Sequence, residues 1–460
     1  MRDPEATALW LCGDSITYQQ LEINLARVVN LISCCGDQKV IGLASGNAWL
    51  SFLFVQACSQ VNQPLLMLSP ELPGPRLQQL LSQCGCNFVI TDTTGLDTSS
   101  ETTVIDEQMF YSLAPGKMIR DATGRNSSNI QLIVATSGSS GEPKGVMLSA
   151  AAIEASAVAV NASLGLQAND CWLNCLPLYH IAGLSIIYRC HFAAASMVLQ
   201  QGFKAQQVWQ DLHRYSISHV SLVPAMLSHL LDVSCDARPP DTLRVALIGG
   251  AALSPALAER ARQAGWPLVI SYGMTETASL CAYDAAADAG MVAGRVGHAL
   301  DGFEISVANN EGNIRVCGPA LMSGYANPNL SPGSGLIDKN FATGDSGRLD
   351  EDGILYVSGR SDEALVSAGR TIHPREVEQQ LEQFTGIGRV AVTAITDPVW
   401  GDRLVAVYEA GGFDASRFES WAREQLASVI CPRIFMPIDR LPLNSMGKID
   451  RSKLRQIIRQ

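Results

Sequence analysis

No apolar run in the chain approaches the length needed to cross a bilayer; the longest, around Val158 to Leu166, is broken by Asn161. Membrane insertion is therefore not expected. Basic residues are scarce beside acidic ones, 33 Lys and Arg against 44 Asp and Glu, for a net charge of −11. That balance argues against nucleic acid or an anionic membrane surface as partner, while leaving room for a local basic pocket. Tandem repeats and low-complexity segments are missing too. The 13 cysteines include Cys34-Cys35 and Cys84-Gly85-Cys86, but no C-x-x-C pair and no Cys/His set at zinc spacing. The first residues, Met1-Arg2-Asp3-Pro4-Glu5, carry acids and no apolar core, so no secretory leader is expected. The thiols are expected to be reduced core residues of a cytoplasmic protein.

What is present is ordinary for a globular enzyme: 460 residues, 47% hydrophobic and 17% charged, enough for two or more domains with full cores. Strand-like and helix-like runs alternate. Lys39 to Ala44, Pro64 to Leu68 and Asn87 to Thr91 read as strands; Trp49 to Val61 and Pro73 to Cys84 read as helices. The rhythm recurs from His219 to Ser271. It predicts an α/β fold with mostly parallel sheets. From about Gly302 the texture changes to short strands and turns, with Asp350-Glu351-Asp352-Gly353 as a hairpin turn, which suggests a small barrel-like region. After Gly359-Arg360 a further small α+β unit begins. The expected domains are 1–359 and 360–460.

The most informative stretch is Thr136-Ser137-Gly138-Ser139-Ser140-Gly141-Glu142-Pro143-Lys144-Gly145. It packs three glycines, four hydroxyls and a lysine into ten residues, directly after the apolar run Leu132 to Ala135. Glycines let the backbone aim N–H groups into a concave nest, hydroxyls add donors, and Lys144 adds a point charge. Together they suit a polyphosphate. A flexible Gly/Ser linker is the competing reading. A Walker A loop is excluded, because Lys144 is followed by Gly145 rather than by Ser or Thr.

Three other clusters match that chemistry. Ser271-Tyr272-Gly273-Met274-Thr275-Glu276-Thr277 follows a predicted strand, where open α/β sheets place ligand loops. Tyr272 offers an aromatic face, Thr275 a donor for phosphate, and Glu276 a ligand for magnesium. Thr343-Gly344-Asp345 offers a carboxylate for ribose hydroxyls, and Gly359-Arg360 a guanidinium for the same sugar or a phosphate. Gly447-Lys448-Ile449-Asp450 puts a lysine in a glycine turn before a terminal helix. A solvated surface lysine is the plain alternative. Gly13-Asp14-Ser15-Ile16 has the look of a serine motif but no assignable partners, and reads as a turn.

In their order along the chain these clusters, with Gly249-Gly250-Ala251-Ala252, resemble the adenylate-forming superfamily of acyl-CoA synthetases, luciferases and adenylation domains. The resemblance runs from Ile16-Thr17-Tyr18 to the Lys448 loop. It implies a two-step reaction in which a carboxylic acid and ATP give an acyl-adenylate, and a thiol, usually coenzyme A, then displaces AMP. It implies that Thr136, Ser137, Gly138, Ser139, Ser140, Gly141 and Lys144 hold the β- and γ-phosphates. Gly249, Gly250, Ala251 and Tyr272, with Gly273, would enclose adenine, and Gly249 would also border the acid. Thr275 would bind the α-phosphate, Glu276 Mg2+, Asp345 the ribose and Arg360 its surroundings. Lys448 would stabilise the charge developing between carboxylate and phosphorus. The small domain would then turn about Asp362 and present Ser367 and Gly369 to coenzyme A. Val366 and Ala368 depart from the residues common in relatives.

The run Leu176-Pro177-Leu178-Tyr179-His180-Ile181-Ala182-Gly183 resembles the superfamily's gate motif, with His180 bordering the acid. Arg189 follows in an apolar helix, where a guanidinium is expensive to bury without a carboxylate. It either anchors a second carboxylate of the substrate or pairs with solvent or a protein acid. These features look most like the o-succinylbenzoate–CoA ligases of menaquinone biosynthesis, although Ala182 replaces a common serine. An aryl or medium-chain acyl-CoA synthetase, or an adenylation enzyme loading a separate carrier protein, is the alternative. A homo-oligomer is compatible with the sequence.

Overall fold

Ile41–Ala44, Leu65–Leu68 and Phe88–Thr91 are buried at every residue, the pattern of strands covered on both faces. They lie in a seven-stranded sheet, in the order Gly324–Tyr325, Lys144–Ser149, Ile130–Thr136, Leu65–Leu68, Ile41–Ala44, Phe88–Thr91, Glu101–Val104. The chain is described by a computed structural model covering residues 4–36, 38–93, 101–105, 107–115, 128–136, 143–285, 292, 294–308, 312–367, 370–397, 401–409, 414–428, 430–443 and 449–458.

A second sheet has thirteen strands. Its centre is parallel: Leu268–Met274, Val245–Ile248, His219–Leu222, Cys171–Asn174, Ser196–Leu199 and Thr7–Leu11. Ser279–Asp284 pairs antiparallel with Leu268–Met274 and begins an antiparallel wing. That wing runs through Arg295–Ala299, Leu355–Arg360 and Phe341–Leu349 to Asn313–Cys317 and Glu304–Val307. The hairpin expected at Asp350 to Gly353 joins Phe341–Leu349 to Leu355–Arg360, with the Gly353 φ at +77°. The expected turn at Ser15 is different. Asp14–Thr17 is a strand antiparallel to Thr7–Leu11, and the turn falls at Cys12 and Gly13, both with positive φ. Cross-strand pairing outweighs the turn preference of Asp14-Ser15 there.

One hydrophobic core joins the two sheets. It contains Leu43 and Val134 of the first, Leu247 and Val269 of the second, and Ile153, Leu184 and Ile187 from the helices Ala150–Leu164 and Ile181–Ala193. Ser149 caps the first of these helices, accepting from the Ala152 N–H at 3.2 Å. Ile181–Ala193 is buried continuously from Gly183 to Cys190, as expected of a helix apolar on every side.

A third, five-stranded sheet comprises Leu365–Ser367, Arg370–Ile372, Val390–Asp397, Gly401–Glu409 and Ile434–Ile438. It has its own core, with Val377, Leu381, Val392, Leu404 and Phe418 fully buried or nearly so. An ion network crosses it. Buried Glu378 lies 3.0 Å from Arg451 and 3.4 Å from Arg375, and accepts the Val392 N–H at 2.8 Å.

Candidate active site

Leu268–Met274 runs further than the sequence suggests, so Tyr272 stands within a strand rather than in a loop after it. Pairing with Ser279–Asp284 extends it, and the register shifts between Tyr272 and Gly273. A Cβ on Gly273 would come 2.1 Å from the Ser279 carbonyl oxygen, so only glycine fits that irregularity. Tyr272 Oη donates to Asp345 Oδ2 at 2.6 Å, across 73 residues. Asp345 is 9% exposed. It is directly opposite Arg360 in the strand pair, with Arg360 Nη1 3.5 Å from its Oδ1. Thr343 braces the pair: its Oγ1 accepts the Asp345 N–H at 3.0 Å, and its carbonyl accepts from Arg360 Nη1 at 2.8 Å. Burial and then the Asp345 charge hold the Tyr272 phenol well above its ordinary pKa, so it stays a donor. Burial would lower Arg360, but the hydrogen bond to Asp362 and the charge of Asp345 raise it, so it stays a cation.

On the neighbouring strand, Gly249 follows Ile248, which is in register with Ile270. A Cβ there would sit 2.5 Å from Ser271 Oγ, itself bonded to the Ile248 carbonyl at 3.0 Å. Gly250 has φ +77°. Gly250 and Ala251 are exposed, and Gly249 packs on Ser271, the residue before Tyr272.

Past Met274 the chain makes a one-turn helix, Thr275–Thr277. Thr277 Oγ1 accepts the Met274 N–H at 3.0 Å and donates to the Ser279 carbonyl at 2.6 Å, which fixes the turn. Glu276 thereby meets the other sheet: its carbonyl accepts the Met322 N–H at 2.8 Å, and its Oε1 accepts from Tyr325 Oη at 2.9 Å. Lys144 Nζ lies 4.9 Å from the centre of the same Tyr325 ring. Thr136 and Lys144 face each other at the end of their hairpin, with Thr136 Oγ1 3.4 Å from the Lys144 carbonyl. Ser137, Gly138, Ser139, Ser140 and Gly141 lie outside the described residues, as do Gly369 and Lys448. The base of the Lys448 loop is described: Leu443 bridges Ile449, and Asp450 caps the helix Arg451–Ile457. Ser367 is 7% exposed and pairs with Gly401.

Two linked chains of side chains therefore converge on one strand end: Tyr272–Asp345–Arg360, and Glu276–Tyr325–Lys144. Among the described residues no group of three or more His, Cys, Asp or Glu could hold a metal ion. A magnesium ion bound mainly through phosphates needs only one protein carboxylate, and Glu276 fits that need.

A family model for AMP-binding enzymes matches residues 1–326, and one for the AMP-binding enzyme C-terminal domain matches 376–448. The chain belongs to the AMP-binding enzyme family. This AMP-binding enzyme is 31% identical over 459 residues to the 2-succinylbenzoate–CoA ligase of Listeria monocytogenes serotype 4b, covering 98% of this chain and 97% of that one. It superposes on the o-succinylbenzoate CoA synthetase of Bacillus subtilis in complex with the acyl-adenylate intermediate, with a TM-score of 0.88, 27% identity, and 98% and 96% of the two chains covered. The structure of that synthetase with ATP and magnesium gives a TM-score of 0.87 at 27% identity, covering 98% and 97%.

In this AMP-binding enzyme the run Leu176 to His180 leads into the buried helix Ile181–Ala193. His180 is its N-cap residue, half-buried, with its ring edge-on to Tyr179 at 4.6 Å. Arg189 is 2% exposed. Its Nη2 donates to Ser279 Oγ, its guanidinium lies 5.1 Å from the centre of the Trp172 ring, and its Nε has no hydrogen-bond partner. No acidic side chain pairs with it among the described residues. Burial pushes its pKa down to about 9. Tyr325 and Ser279 are the residues sequence reasoning missed. Neither sits in a patterned motif; each matters through a partner far away in the chain.

Proposed function

We propose that this protein is an AMP-forming acid–thiol ligase that converts 2-succinylbenzoate into its coenzyme A thioester. The choice of acid is carried by Arg189, a guanidinium buried without an acidic partner among the described residues. A substrate with a second carboxylate supplies the missing charge, and a monocarboxylate does not. The names of the relatives above support the same acid.

Tyr272 and Gly249-Gly250-Ala251 enclose adenine, Asp345 accepts from the ribose hydroxyls, and Arg360 stands beside it. The stretch from Thr136 to Lys144 cradles the β- and γ-phosphates with N–H groups, hydroxyls and one ammonium. Thr275 donates to the α-phosphate, and His180 borders the acid. Glu276 holds Mg2+, which neutralises phosphate charge when bound. A carboxylate oxygen of the substrate attacks the α-phosphorus, the bond to pyrophosphate breaks, and the acyl-adenylate forms. Lys448 meets the charge developing at that junction. The thiolate of coenzyme A then attacks the acyl carbon, and AMP departs with the bonding electrons. The protein's contribution is positioning and electrostatics.

Residues 360–460 pivot against 1–359 between the steps, removing Lys448 and bringing Ser367 and Gly369 to the thiol arm. Two anchors on either side of Asp362 support that pivot. Ser361 Oγ bonds Asn313 Oδ1 at 2.8 Å and Ser346 Oγ at 2.7 Å in the large sheet; Glu363 pairs with Arg451 of the small unit at 2.8 Å. One residue lies between them. A cytoplasmic location fits a chain in which, among the described residues and all thirteen cysteines, no disulfide forms.

The test is ATP–pyrophosphate exchange with a panel of acids. Exchange should depend on 2-succinylbenzoate; stronger exchange with benzoate or a medium-chain acid overturns the choice of acid. Lys448→Ala should abolish exchange but spare thioester formation from supplied acyl-adenylate. Equal loss in both half-reactions contradicts the pivot.

A further inference from the structure

A small cavity of about 10 Å³, room for a single oxygen-sized group, is lined by Leu132, Ser156, Ile181, Ser185, Tyr188 and Ala278 among others. Most of its wall is apolar, and its polar atoms stand out. Ser185 is committed: its Oγ donates to the Ala182 carbonyl at 3.2 Å and accepts from Ser279 Oγ at 3.5 Å. Ser279 Oγ in turn accepts from Arg189, so this edge of the cavity is wired to the guanidinium. Tyr188 Oη accepts from Gln131 at 3.0 Å.

Ser156 is different. It stands in the middle of the helix Ala150–Leu164, is 3% exposed, and its Oγ has no hydrogen-bond partner. A buried helical serine ordinarily turns its hydroxyl back onto the carbonyl one turn earlier, and buried hydroxyls are rarely left unsatisfied. A donor held unused beside a cavity with room for one oxygen atom is a position that a single ligand oxygen can fill.

We propose that Ser156 is a specificity-determining residue whose hydroxyl donates to the ketone oxygen of the acyl substrate. The inference rests on the function proposed above. By its chemistry, 2-succinylbenzoate carries three polar groups: the reacting carboxylate, a distal carboxylate and, between the ring and the aliphatic arm, a ketone. The first goes to the α-phosphate and the second to Arg189. The ketone can only accept, and Ser156 offers an uncommitted donor. The site therefore selects oxo-dicarboxylates over dicarboxylates lacking the oxo group.

The experiment uses the full-length enzyme, Ser156→Ala, and two acids: 2-succinylbenzoate and its analogue in which the ketone is replaced by a methylene. Exchange assays give KM for each pair, and a thermal melt of the free enzyme runs alongside. In the variant, KM for the keto acid should rise about five- to tenfold, the scale of one net hydrogen bond, while KM for the methylene analogue stays within about twofold. The free variant should melt no lower than wild type, because alanine favours the helix and removes an orphan hydroxyl. A merely structural role would move both KM values together or lower the melting point; either result, or no change with the keto acid, overturns the proposal. Wild-type enzyme silent towards both acids but active with another overturns the substrate assignment itself, and the Ser156 role with it.

Discussion

Replacing Arg189 with methionine removes one charge from the interior while keeping most of the side-chain volume. If the guanidinium takes the distal carboxylate of the substrate, the variant loses a charged hydrogen bond, worth about 1.5–3 kcal/mol. At about 1.4 kcal/mol per tenfold, KM for 2-succinylbenzoate should rise roughly ten- to 150-fold, with KM for ATP unchanged. The free protein should respond in the opposite sense. Arg189 is buried with no acidic partner among the described residues, and its compensation is the Trp172 ring and the Ser279 hydroxyl. Removing a buried charge that no carboxylate balances should raise the melting temperature. The proton adds a second readout. Burial pushes Arg189 down to about 9, below the ordinary arginine value, so the unfolded chain binds the extra proton above that pH. The group's penalty is complete below about pH 9 and is relieved as pH rises towards the ordinary arginine range, so its contribution to stability improves with pH across that window. A bound carboxylate restores the proton. Around pH 9 the acid should therefore be bound with net proton uptake, measurable by calorimetry in buffers of different ionisation enthalpy. The methionine variant should take up none. Unchanged KM together with identical proton uptake would remove Arg189 from the acid site.

Two further substitutions test the frame around the site. Gly249→Ala places a methyl group 2.5 Å from Ser271 Oγ, which should lower stability by about 1–3 kcal/mol and weaken ATP binding; Ser271→Gly in the same chain should recover part of both losses in melts and exchange assays. Glu378→Gln removes the carboxylate shared by Arg375 and Arg451, which keep Glu382 and Glu363 respectively, and should destabilise the small unit by about 1–3 kcal/mol in denaturant titrations. Burial would raise the Glu378 pKa, but Arg451 and Arg375 bring it below its ordinary value. Its stabilisation is therefore complete above the ordinary glutamate range and lost as pH falls through the lower folded value. Wild type should show that acid-dependent loss and the glutamine variant should not; matching acid profiles would count against the network.

Much of the site is readable in the chain because its chemistry is concentrated in short stretches. Thr136 and Lys144 flank one such stretch, and Tyr272, Thr275 and Glu276 occupy another. Asp345 and Arg360 were legible as residue types, but their mutual register comes from a strand pair that local pattern does not specify. The parallel strands were equally clear, because sheets covered on both faces leave unbroken apolar runs such as Leu65–Leu68. What escaped were contacts between distant segments. Tyr325 is a lone aromatic in a two-residue strand, and it matters only because that strand pairs with Lys144–Ser149 and brings its hydroxyl to Glu276. Tyr272 read as a loop residue because Gly273 breaks the strand pattern, whereas the glycine accommodates an irregularity inside the strand. Ser15 was misread for the converse reason: turn-forming residues were captured by a neighbouring strand.

Trp172, one of seven tryptophans, is wholly buried, with its ring 5.1 Å from the Arg189 guanidinium and its Nε1 bonded to Ser221 Oγ at 3.2 Å. An indole's emission responds to nearby electric fields, and the Arg189 guanidinium over this ring is the cation proposed to meet the arriving anion. If Arg189 takes the acid as proposed, Trp172 emission should change on acid binding, readable in stopped flow without label or coupled reaction, and Trp172→Phe should abolish that change.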